Sequence, residues 1–214
     1  MFNTRFELTL ILTSIASATS IITQGPSRIY NGEDVTAGTY PWFVRFLNEY
    51  APNQYELCGG SLIAEDWILT AAHCVDNHNI RYILDIGALC PNHSNNCGQN
   101  IEQKFEYSSS LTVHPSYDGS NGSFDYDFAL LKLSNKVSIT PVNIDDGSYS
   151  PNYSNGKEDL WSIGFGKEEN GILAAHLQHV ELKYLSYSEC TKKGLYTPFQ
   201  ITENMLCASD DQGK

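Results

Sequence analysis

The chain is 214 residues long, 41% hydrophobic and 18% charged, which fits one globular unit or two small ones with real cores and excludes a disordered or fibrous protein. Its formal charge of −12 excludes the clustered basic surface that phosphate backbones require, so nucleic acid is not an expected partner. The same acidity favours a soluble monomer and would steer basic substrates from a distance.

The first predicted element is MFNTRFELTLILTSIASA, with Arg5, an apolar run from Leu8 to Ile15, and small residues at Ala16 and Ala18. That order defines a secretory signal peptide over residues 1–18 and a secreted, extracellular protein. The run is too short to span a bilayer, and no later segment is long enough to anchor the chain in a membrane. The polar stretch Thr19 to Arg28 lacks the apolar content to fold and ends in a basic residue. From Ile29 onward, short apolar runs alternate with turn residues: PWFVRFL, GGSLIAEDWILTAAHC, RYILDIGAL, SSSLTVHP, FALLKL, LWSIGFG, LQHVELKYLS and NMLCAS. They read as strands, and the Gly-, Asn-, Asp- and Pro-rich intervals between them as surface loops. An all-β barrel or sandwich is expected, with a boundary where apolar density falls between Lys136 and Asp146. Five runs precede that boundary and three follow it, too few for a second closed barrel of the same size. An exposed sheet edge is therefore expected there.

Six cysteines in a chain addressed to an oxidising compartment make disulfides the expected state. Their positions favour local pairs: Cys58 with Cys74, Cys90 with Cys97, and Cys190 with Cys207. Zinc is the competing use of these residues, but no C-x-x-C pair occurs. Three N-x-S sequons, at Asn92, Asn121 and Asn152, lie in polar stretches able to accept a glycan.

Two residues carry candidate chemistry. In TAAHC, His73 directly precedes Cys74, and a bridge back to Cys58 would hold its imidazole rigidly, as a general base requires. In FDYDFALLKL, Asp127 abuts a continuous apolar run, so its carboxylate turns inward and needs a partner. Asp125, two residues earlier, lacks that placement. Read singly, each has a structural explanation: a histidine beside a bridged cysteine, and an aspartate capping a strand entry.

Together, TAAHC and D-x-A-L-L resemble the trypsin and chymotrypsin family of serine endopeptidases. RIYNGEDV, YPWFV, CGGSLIAEDWILTAAHC, IGFG with Phe165 in place of tryptophan, and SEC followed by ITENMLCA extend the likeness from Arg28 to the last residue. The resemblance implies two antiparallel six-stranded β-barrels, with residues 29–214 as the peptidase domain, 29–137 as the first barrel and 138–214 as an incomplete second one. It implies that His73 is the catalytic base and Asp127 its orienting carboxylate in a Ser-His-Asp triad. Residues 19–28 would be an activation propeptide, removed by cleavage between Arg28 and Ile29, and Tyr30 and Asn31 depart from the commoner valine and glycine. Peptide and protein substrates, protein inhibitors and cleavage after Arg or Lys are the implied properties. No cofactor is implied.

The family's calcium loop would fall near Gly87 to Glu106, where no carboxylate precedes Glu102, so no metal is expected. His78, His93, His114, His176 and His179 show no convergent ligand spacing and are expected at the surface. No Gly-Asp-Ser-Gly-Gly occurs in the 214 residues, so the nucleophile and oxyanion-hole amides of the family are not found. Two expectations follow: a truncated sequence of an active protease, or a secreted non-catalytic homologue that binds or inhibits proteins. On either, this chain alone is expected to be inactive and poorly folded beyond about Asp146.

Overall fold

A computed structural model describes residues 32–209 apart from 52–53, 76–80, 91–100, 107–109, 120–123, 149–159, 168–171, 193–195 and 197–199. The signal segment, the Arg28–Ile29 junction, Cys97 and the three sequon asparagines lie outside the described residues, as do His78 and His93.

The fold is antiparallel β almost throughout, as the alternation of apolar runs and turns requires. In chain order the strands are β1 (Glu33–Asp34), β2 (Phe43–Ala51), β3 (Gln54–Ala64), β4 (Trp67–Thr70), β5 (Arg81–Ile86), β6 (Ile101–Glu106), β7 (Leu111–Val113), β8 (Ala129–Lys132), β9 (Leu160–Gly164), β10 (Gln178–Leu185) and β11 (Cys207–Ser209). The larger sheet has the order β6-β5-β2-β3-β4-β8-β7, and in the smaller one β10 pairs with β1, β9 and β11. The N-terminal strand β1 thus belongs to the second sheet, with Glu33 opposite His179.

Strand β2 explains how two cores coexist. Its residues alternate between faces, as the pleat dictates. Val44 and Phe46 enter the core of the larger sheet with Leu62, Ile68, Tyr82, Leu84 and Leu131. Phe43 faces the other way, into a core shared with Val35, Ile163, Phe165 and Leu177. The larger sheet is therefore covered on both sides along β2, and the second core is what covers its outer face. Gly60 sits close against β4: a Cβ there would lie 3.1 Å from both Ile68 Cγ2 and the Leu69 carbonyl oxygen, so a larger residue would require those neighbours to shift by a few tenths of an ångström.

After β8 the chain keeps contact with the first sheet, and residues 133–148 form no strand. The Val137 amide donates to the Glu65 carbonyl and the Val142 amide to the Leu62 carbonyl. In the second half, the short helix α1 (Tyr187–Lys192) is capped by Glu189, whose carboxylate reaches back to accept the Ser186 amide and hydroxyl at 3.0 and 2.6 Å. The disulfide Cys190–Cys207 joins this helix to β11 and forms a third small core with Ile201.

Candidate active site

Strands β4 and β8 are antiparallel neighbours, with Thr70 opposite Ala129. The end of one and the start of the other therefore lie side by side. His73 follows Thr70 by three residues, and Asp127 precedes Ala129 by two, so the sheet register alone brings them together across 54 positions of sequence.

The histidine sits in a single 3₁₀ turn, Ala72–Cys74, fixed from several directions. Cys74 is bridged to Cys58 on β3, a loop size for which a disulfide contributes about 3 kcal/mol. The buried Asn48 amide donates to the Cys74 carbonyl at 2.6 Å, and the Tyr82 hydroxyl donates to the Val75 carbonyl at 3.3 Å. The expected pairs Cys58–Cys74 and Cys190–Cys207 are thus present. Cys90 is also disulfide-bonded, and its expected partner Cys97 lies outside the described residues.

Asp127 engages His73 twice. Its Oδ1 accepts the His73 backbone N–H at 2.8 Å, and its Oδ2 lies 2.6 Å from Nδ1. The two side chains are 20% and 18% exposed, so the pair is screened from bulk water on most sides, and the imidazole still reaches the surface. With a carboxylate on Nδ1, that nitrogen carries the proton and Nε2 is left as the acceptor. Nε2 lies 3.5 Å from the Cys74 sulfur, which as part of a disulfide has no proton to donate and leaves the nitrogen's lone pair available. A histidine held in one tautomer with a free basic nitrogen at the surface can abstract a proton from a hydroxyl and return it.

Cys58, His73 and Cys74 place their ligand-type atoms within 4.8 Å of one another. Both sulfurs are consumed by the disulfide, so the cluster offers no thiolate and does not form a metal site.

Around this pair lie residues that sequence reasoning did not single out. The Phe124 ring meets the His73 ring edge-on, with centroids 5.8 Å apart, and is 36% exposed. Tyr126, between the two aspartates, has a φ of +55° and stacks on His114 at 4.8 Å with nearly parallel planes. FDYD does not announce a left-handed backbone at Tyr126, because that region favours Gly, Asn or Asp and the flanking aspartates are the expected candidates, not the tyrosine between them. His114 and His179, expected as simple surface residues, are half-buried and engaged. His179 stacks on Trp161 at 4.7 Å and hydrogen-bonds the Tyr40 hydroxyl through Nδ1 at 2.8 Å. Burial raises the Tyr40 phenol above its ordinary pKa, which keeps that hydroxyl protonated. His176 is exposed, with Nδ1 at 3.3 Å from the Cys90 sulfur.

Comparison with known proteins agrees with this geometry. The family model "Trypsin" matches residues 29–214. Chymotrypsin-like elastase family member 3B of Homo sapiens is 30% identical over 219 residues, covering 97% of this chain and 76% of that protein. Chymotrypsin-like elastase family member 1 of Homo sapiens is 28% identical over 191 residues, covering 86% and 70%. An ovochymase of Halocynthia roretzi is 31% identical over 200 residues, 87% of this chain but only 11% of that protein's length. Among solved structures, neuropsin, a serine protease expressed in the limbic system of mouse brain, superposes with a TM-score of 0.68 at 24% identity, covering 87% of this chain and 77% of that one. That last likeness concerns the fold. The chain belongs to the trypsin family of serine proteases.

Proposed function

We propose that the protein is a secreted serine endopeptidase in which His73 is the general base and Asp127 fixes its tautomer. The observation that carries this reading is the double contact of Asp127 with the His73 amide and Nδ1. Nε2 takes the proton from a serine hydroxyl as its oxygen attacks a peptide carbonyl, and then gives it to the leaving amine. The nucleophile in this proposal is a serine outside these 214 residues. Residues 1–18 are read as the signal and 19–28 as the propeptide. Residues 29–137 and 138–214 then contribute to the two barrels of the peptidase, which acts as a monomer on peptide and protein substrates and is open to protein inhibitors. Cleavage after Arg or Lys is the preference proposed, supported by the net charge of −12, which draws basic segments toward the surface.

The test is activation. The protein secreted by expressing cells is expected to hydrolyse Arg- or Lys-terminated peptide substrates only after cleavage between Arg28 and Ile29. Arg28→Gln is expected to block that cleavage and lower activity at least about a hundredfold, the scale of losing an oxyanion-hole donor. Substrates ending in Ala run in the same assay would reveal an elastase-like preference instead. Secreted protein that remains inert on all substrates after the cut would favour the non-catalytic binding homologue.

A further inference from the structure

The carboxylate of Asp125 gathers a set of donors that the triad reading leaves unused. Its Oδ1 accepts the Tyr126 backbone N–H at 3.0 Å, the Thr202 hydroxyl at 2.8 Å and the Asn204 side-chain amide at 3.0 Å. The last two donors lie 77 and 79 residues away in sequence. Thr202 is itself held, because its hydroxyl oxygen accepts the Asn204 backbone N–H at 3.2 Å and its carbonyl accepts the Met205 amide at 3.2 Å. Its neighbour Ile201 is buried against the Cys190–Cys207 disulfide. Asp125 is therefore moored to a cross-linked turn in the second half of the chain.

What Asp125 moors is the backbone that aims Asp127. Tyr126 is a bulky residue at φ +55°, a conformation it adopts only where its surroundings impose it. The Phe128 amide donates to the Tyr126 carbonyl at 2.7 Å, a three-residue turn with Asp127 at its centre. The Asp125 carboxylate holds the N–H of Tyr126, and the His114 ring supports its side chain from the other side. Releasing either end is expected to let the turn open and draw the Asp127 oxygens away from His73.

We propose that Asp125 is a positioning residue for the His73–Asp127 pair, coupling its geometry to Thr202 and Asn204. This rests on the proposed role of His73 and Asp127 for its consequence on catalysis, but the coupling itself concerns only the position of Asp127. The Tyr126, Thr202 and Asn204 donors all reach Oδ1, and asparagine keeps a carbonyl oxygen to receive them, so Asp125→Asn is expected to retain the coupling far better than Asp125→Ala.

The experiment uses the ¹⁵N-labelled secreted protein, with the His73 ring nitrogens assigned through His73→Ala. Long-range ¹H–¹⁵N spectra of the neutral imidazole report which nitrogen carries the proton. Wild type and Asp125→Asn are expected to show the Nδ1–H tautomer. Asp125→Ala is expected to shift the tautomer ratio toward Nε2–H by about tenfold or more, as loss of a charged hydrogen bond would. Thr202→Val, a near-isosteric change remote from the pair, is expected to move it in the same direction by a smaller factor. In the activated enzyme, Asp125→Ala is expected to lower kcat about 10–100-fold with KM within about threefold, and Asp125→Asn to restore it. If Asp125→Ala and Thr202→Val both leave the tautomer ratio unchanged, the proposal is wrong, whatever happens to thermal stability. If His73→Ala leaves hydrolysis intact, it is the catalytic reading that fails, and the tautomer data still decide the role of Asp125.

Discussion

Asp127→Asn in the activated protein is expected to lower kcat/KM by about ten-thousand-fold, a magnitude carried over from the chymotrypsin-type triad itself and not from these distances. The direction does follow from the geometry. Asp127 receives two donors on two different oxygens, the His73 amide on Oδ1 and the Nδ1 side on Oδ2. Asparagine has one oxygen and one NH₂ group. If its oxygen stays on the backbone amide, its NH₂ faces Nδ1, and only the tautomer protonated at Nε2 can accept it. The nitrogen needed to take a proton from the nucleophile is then already occupied. The loss should fall on kcat, with KM little changed, because the substituted atoms lie behind the imidazole and away from the substrate. His73→Ala should lose at least as much. Steady-state kinetics on a peptide substrate would check both, and a loss smaller than about tenfold for either variant would argue against a general-base role.

The largest expected effect on stability lies elsewhere, at the buried ion pair between Arg45 and Asp85. The two residues are directly paired across β2 and β5 and so project from the same face of the sheet. Their side chains are 8% and 1% exposed and in direct contact. The guanidinium also lies 5.9 Å from the ring centroid of Phe165 in the second core. Arg45 Nε has no acceptor among the described residues. Removing one partner leaves the other's buried charge without its ion pair, which costs about 3–5 kcal/mol. Arg45→Met or Asp85→Leu alone is therefore expected to lower the melting temperature by roughly 6–20 °C. The double replacement should recover most of that loss or all of it, because two apolar side chains of similar volume carry no desolvation penalty. Chemical denaturation of the three variants measures this directly. Single variants as stable as the wild type would show that the pair is not buried as described.

These two sites differ in how far the amino-acid sequence discloses them. His73 and Asp127 are legible because TAAHC and D-x-A-L-L, taken together, resemble a family's motifs; read singly, the cysteine beside the histidine and the apolar strand after the aspartate each have a structural explanation. The antiparallel all-β fold is legible from local pattern, since short apolar runs and turn residues report on their immediate neighbours. Arg45 is not legible in this way. In PWFVRFL it occupies the face opposite Val44 and Phe46, where an arginine ordinarily meets water. Only the packing of Ile163, Phe165 and Leu177 over that face makes it a core residue. Asp125 is hidden by a similar distance. Asp127 is the aspartate that meets His73, and nothing in the sequence around Asp125 signals Thr202 and Asn204, since hydrogen bonds across nearly eighty residues leave no local periodicity. The left-handed turn at Tyr126 is likewise a product of tertiary restraint and not of residue preference.

The central claim is that His73, held by Asp127, activates a serine hydroxyl. A fluorophosphonate probe reacts with such a hydroxyl and not with ordinary serines, so it reads this activation without any assumption about substrate. Applied to the secreted protein after cleavage at Arg28, it is expected to label the wild type covalently at one serine and to leave His73→Ala essentially unlabelled. No labelling of the wild type, or equal labelling of the two proteins, would contradict the account.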